Sequence, residues 1–110
     1  MRPFIVIESP YAGEVARNRA YLERCIRDSA LRGESPYASH KMLTDALDDS
    51  MPDEREIGID CGLALRRRAD KRVFYIDYGW SGGMLAAKKL YDEENLDYEI
   101  REIGSNPETA

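Results

Sequence analysis

The chain has 110 residues, 43% hydrophobic and 34% charged, with a formal net charge of -5. That length fits one domain around a single core, small enough that self-association to bury more surface is expected. The acidic balance excludes a diffuse attraction for nucleic acid or an anionic membrane, and the charged content stays short of the range of disorder, so a small molecule or a protein is the expected partner.

The first apolar run, Pro3 to Ile7, is short and uniformly hydrophobic, as a central strand of a parallel sheet should be. Ser9-Pro10 stops it, and from about Gly13 to Arg32 the spacing becomes helical, with Val15, Leu22, Cys25, Ile26 and Ser29 on one face. Asn18 falls on that inward face near the helix start, where an amide needs either loop backbone or a ligand as its partner. Gly33 ends the helix, and Glu34 to Ala38 reads as a brief second strand near the sheet edge because Pro36 interrupts it.

Ser39-His40 follows at that strand's carboxyl end. Lys41 to Asp49 reads as a loop or short helix, closing on the acidic pair Asp48-Asp49, which is either solvated or close enough to a site to hold a ribose hydroxyl. Ser50 as a cap, Pro52 and the acids Asp53 and Glu54 announce a second long helix running to about Ala69. Ile57, Cys61, Ala64 and Leu65 are expected to face in, and the arginines 66 to 68 to complement the helix dipole. Both cysteines, Cys25 and Cys61, are expected to be reduced, buried, small hydrophobes.

Arg72 to Ile76 is a third strand, followed by the turn Asp77 to Ser81, a helix over Gly82 to Asp92, and an edge strand over Tyr98 to Ile103. Residues 1–104 are expected to form the domain, with 105–110 as a flexible tail. Alternating strands and helices with right-handed crossovers predict an α/β fold: a four-stranded parallel sheet ordered 2-1-3-4 between helix layers, flavodoxin-like or Rossmann-like. In that order the first and third strands are neighbours. Their following loops then meet beyond the strands' carboxyl ends, where such sheets bind ligands.

That rim gathers chemistry suited to a nucleoside. Tyr11, Tyr78 and Trp80 offer flat rings for a base, while Ser81 with the amides of Gly82 and Gly83 can hold an anion at a helix start. Glu8, Asp77 and His40 are the candidate catalytic groups, with Glu8 as nucleophile or as a carboxylate bonded to loop amides or Arg55. No Gly-Lys-Ser/Thr phosphate loop, dinucleotide fingerprint or Cys/His cluster appears, and neither a metal nor a cofactor is expected. No apolar run reaches membrane-spanning length and no secretory leader is visible, so a cytoplasmic location is expected.

Ser9-Pro10-Tyr11, Asn18, Gly33, Pro36, Ser39-His40, Glu54-Arg55-x-x-Gly58 and Ser81-x-Gly83-Met84 together resemble the nucleoside 2-deoxyribosyltransferase-like superfamily, in particular its small uncharacterised phage and bacterial domains. The resemblance spans about Ile5 to Ile103. It implies a pocket for a nucleoside or nucleotide, with Ser9, Asn18 and Met84 completing the ligand-binding set, and a homo-oligomer. Active relatives carry a sugar-attacking glutamate where this chain has Ala87, and a methyl group is no nucleophile. The resemblance therefore implies a binder impaired in catalysis, sequestering or sensing a signalling nucleotide in a phage and host setting, and then lying in the host cytoplasm. The alternatives are an N-glycosidase or deoxyribosyltransferase with Glu8 relocated as its carboxylate, and a protein-binding adaptor with a vestigial pocket.

Overall fold

The computed structural model describes residues 1–38 and 46–104. Strands β1 (Phe4–Glu8), β2 (Ser35–Tyr37), β3 (Lys71–Tyr75) and β4 (Tyr98–Arg101) alternate with helices α1 (Val15–Leu31), α2 (Pro52–Arg68) and α3 (Gly82–Glu93). All three strand pairings are parallel, in the order β2-β1-β3-β4. The expected order holds, and β1 and β3 lie side by side with Glu8 opposite Phe74.

The pleat sorts the central residues to two faces. Ile5, Ile7, Val73 and Tyr75 pack against Tyr21, Leu22 and Cys25 of α1. Phe74 turns the other way, onto Met84, Ala87 and Tyr91 of α3. Helix α2 shares that second face through Arg66, which reaches Glu8. The result is a three-layer sandwich of flavodoxin-like or Rossmann-like type, whose central strands are apolar over Ile5 to Ile7 and Val73 to Tyr75 because both their faces are covered.

Left-handed residues end two of the helices. Gly33, at φ 94°, ends α1 after the cap residue Arg32, and Asn95, at φ 56°, does the same for α3. The carboxyl end of α2 is closed from a distance. The Arg72 guanidinium donates to the carbonyls of Arg66 (2.9 Å), Ala69 (3.1 Å) and Asp97 (2.6 Å), so a charged fork from β3 ties α2 to the approach to β4.

The structure corrects four expectations. Val15 is 41% exposed, because the helix begins at Val15 itself and its first turn projects beyond the sheet. Ser50 is not the cap of α2: Met51 holds that position, and the Ser50 amide and hydroxyl instead donate to Asp48, whose carboxyl they hold below its usual range. Ile57 and Cys61 do not face in, since Ile57 is 52% exposed and Cys61 is exposed too. Helix α2 is rotated so that Gly62 and Arg66 meet the sheet, and pairing a buried carboxylate outweighs burying one isoleucine. Ser39, His40, most of the segment up to Asp49 and the expected tail lie outside the described residues. No helix of the described residues is long and apolar enough to cross a membrane.

Candidate functional site

Beyond the carboxyl ends of β1 and β3 lies a cleft of about 320 Å³. From the first loop it is lined by Glu8, Ser9, Tyr11 and Ala12, and from the start of α3 by Ser81, Gly82, Gly83 and Met84. Arg66 of α2 closes it. The volume is at the low end for small-molecule clefts, in keeping with one compact ligand.

Its wall is formed by an ionic cluster. The Arg66 guanidinium grips Glu8 with both arms, Nε to Oε2 at 2.7 Å and Nη2 to Oε1 at 3.1 Å, and the Tyr91 hydroxyl also donates to Oε2. Glu8 is only 4% exposed, so this pairing is what allows a carboxylate at the end of a central strand. Burial pulls the Arg66 pKa down, but the bonds to Glu8 outweigh it and leave the guanidinium above its usual value. Burial first, and then the Glu8 charge, push the Tyr91 hydroxyl up, so it stays a donor.

The opposite wall is the amino end of α3. Ser81 caps α3 by accepting from the Met84 amide at 3.2 Å, and Gly82 and Gly83 form the first turn. A Cβ added at either glycine meets nothing within 4 Å, so open space faces the amino end of α3, the favourable end of its dipole for negative charge. Across the cleft Ser9 is 7% exposed, and its hydroxyl oxygen is fully buried with no hydrogen-bond partner among the described residues. An unpaired buried hydroxyl costs about 1–3 kcal/mol, a cost that turning the Ser9 side chain toward the cleft and a partner there would remove.

The remaining candidates support this cleft without lining it. Asn18, 1% exposed, donates through Nδ2 to the carbonyls of Tyr11 (3.0 Å) and Ala12 (3.1 Å), while Arg17 donates to its Oδ1. Its partner is thus loop backbone, and it sets the shape of the lip that carries Tyr11. Asn18→Ala is expected to cost about 1–2 kcal/mol and to speed amide exchange in residues 11–13, read by thermal melting and hydrogen exchange. Tyr78 lies edge-on to Tyr21 at 4.9 Å with the Arg17 guanidinium 4.0 Å from its ring centre, and Trp80 packs on Phe74 at 4.9 Å. Those rings stiffen the turn before α3.

Asp77 is engaged elsewhere. Its carboxylate accepts from the Tyr21 hydroxyl and from the amides of Ile103 (3.0 Å) and Gly104 (3.3 Å), so it tethers the chain leaving β4. His40 lies outside the described residues. Ala87, where the resemblance places a nucleophile, is 6% exposed in the cluster of Phe74, Met84 and Tyr91. Among the described residues no group of His, Cys, Asp and Glu side chains could hold a metal ion.

Sequence reasoning passed over Arg66 and Tyr91. Each had a signal: Arg66 follows Gly62 by one helical turn and so shares the face that must approach the sheet, and Tyr91 continues the stripe of Met84 and Ala87 at the spacing of an inward face. The first was masked by its two arginine neighbours, which look like one dipole-complementing run.

Fold and cleft together define a parallel-sheet α/β protein with a small cleft at the carboxyl edge of its two central strands. Residues 3–101 match the family described as Domain of unknown function (DUF7768), and the chain belongs to that family. Comparison with curated proteins and with solved structures gave no match.

Proposed function

We propose that this cleft binds a nucleoside or nucleotide, with an anionic group held between the Ser9 hydroxyl and the amino end of α3. The observation that carries the reading is the unobstructed amino end of α3 opening on a cleft of ligand size, with Ser9, whose buried hydroxyl lacks a partner among the described residues, in its wall. Tyr11 at the lip is placed to cover a flat base. Binding without turnover is favoured over catalysis because both Glu8 oxygens are claimed by Arg66 and Tyr91, which leaves that carboxylate poorly disposed to attack an anomeric carbon. The role that fits is sequestering or sensing a nucleotide in the cytoplasm, as the deoxyribosyltransferase-like resemblance of the sequence also suggests.

Calorimetric titration with nucleosides, nucleoside monophosphates and ADP-ribose is expected to give heat with the phosphate-bearing ligands at about micromolar affinity. Gly83→Ala is the matched control: its new methyl enters open space, so stability holds or rises by up to about 1 kcal/mol while affinity falls about tenfold or more. No heat with any of these ligands, or an unchanged affinity in Gly83→Ala, overturns the reading. Incubation with deoxynucleoside monophosphates is expected to release no free base. Release that disappears in Glu8→Gln would establish the N-glycosidase alternative instead.

A further inference from the structure

Helix α2 is poorly accounted for by its own chain. Of its 17 residues Gly62 alone is buried, yet a helix of this length draws most of its stability from packing an apolar face. On the side opposite Arg66, Glu54, Ile57, Cys61, Ala64 and Arg68 recur at spacings of three and four, forming one continuous seam. Ile57 is 52% exposed, Cys61 and Arg68 are exposed, and Ala64 is half-buried.

The charge along the helix says what covers that seam. Residues 53–60 carry four acids against one arginine, while of the arginines 66 to 68 the first two are held within the chain by Glu8 and Glu94, which leaves Arg68 at the seam's carboxyl end opposite in charge to Glu54 at its amino end. Reversed end for end, this pattern is its own complement; laid parallel, it sets like charge against like. We infer that α2 pairs antiparallel with α2 of a second copy, crossing near Cys61, with Ile57 against the partner's Ala64 and Glu54 near the partner's Arg68.

Small residues at the crossing, Cys61 and Ala64, let the axes approach to about 8 Å. The helix is only about 25 Å long, so the contact is at the small end of stable interfaces and dimerisation is expected at micromolar concentrations. The same helix presents Arg66 to Glu8 on its other side, so the second copy steadies the element that closes the cleft. The inference does not depend on what the cleft binds.

Sedimentation velocity across the micromolar range is expected to show a monomer–dimer equilibrium. Ile57→Asp and Arg68→Glu should each weaken it about tenfold, and adding Glu54→Lys to Arg68→Glu should recover most of that loss. A short bis-maleimide should link Cys61 to its own copy: Cys25 is buried, burial pushes its thiol up, and Cys61→Ser should abolish the link. All these positions are at least partly exposed, so circular dichroism should report unchanged folding. A monomer at every concentration, or a dimer indifferent to Ile57→Asp and Arg68→Glu, overturns the inference.

Discussion

Arg101→Met is expected to lower the unfolding free energy by about 3–5 kcal/mol, a large part of what a domain of this size possesses. Arg101 is 7% exposed and its guanidinium grips Glu34, itself 6% exposed, from Nη1 at 2.7 Å and Nη2 at 2.6 Å. Glu34 also accepts from the Ser29 hydroxyl at 2.7 Å, and Arg101 donates to the Tyr75 hydroxyl at 3.2 Å and to Glu99. This network binds the entry to β2 to the end of β4, the two edge strands, beneath α1. Removing the guanidinium strands a buried carboxylate, which is why the loss exceeds the net worth of the pair. Glu34→Leu combined with Arg101→Met should recover much of it, since the double change leaves no charge to desolvate.

The bonds from Arg101, opposed by burial and aided by Ser29, hold the Glu34 carboxyl down to about 2 from an ordinary 4.5. The folded value lies below the unfolded one, so the stabilisation is complete above pH 4.5 and is lost as pH falls toward 2. The group is worth about 3 kcal/mol over that window. Urea denaturation in steps from neutrality to acid measures it, and the acid-induced loss should disappear in Arg101→Met. An Arg101→Met protein as stable as the parent at neutral pH, with the same acid limb, would show that the network does not hold the edges.

Glu8→Gln is expected to move stability and binding in opposite directions. In the parent the charges of Glu8 and Arg66 cancel at the back of the cleft. The amide keeps the shape and an acceptor for Tyr91, but leaves the Arg66 guanidinium without its counter-charge, costing about 2–3 kcal/mol. That freed cation then faces the ligand, so a nucleoside monophosphate should bind about tenfold tighter and with steeper salt dependence, while an uncharged nucleoside gains nothing. Arg66→Met should weaken both. Parallel denaturation and calorimetry separate the cases, and a Glu8→Gln protein that loses monophosphate binding would mean that the carboxylate itself contacts the ligand.

What the chain determines locally was legible in its residues. The apolar runs at Phe4 to Ile7 and Val73 to Tyr75 state buried parallel strands, Gly33 states a helix end, and the alternation of elements under right-handed crossovers leaves the order β2-β1-β3-β4. From that order it follows that the loops after β1 and β3 meet, and Ser9, Tyr11 and Ser81 to Met84 do line one cleft. Pattern, turn chemistry and chirality act over a few residues, so a sequence carries them openly.

Partner choice among long charged side chains was decided only in three dimensions. The spacing from Gly62 turns Arg66 rather than Arg67 toward the sheet, but nothing local names Glu8 as the partner of the first or Glu94 as the partner of the second. Nor does Asp77 announce that it will tie down Ile103, or Arg101 that it will find Glu34. Each such pairing depends on the rotation of a helix about its axis and on which strand ends coincide. Those are settled by the packing of the whole sheet, because a buried charge costs several kcal/mol until its counter-ion reaches it.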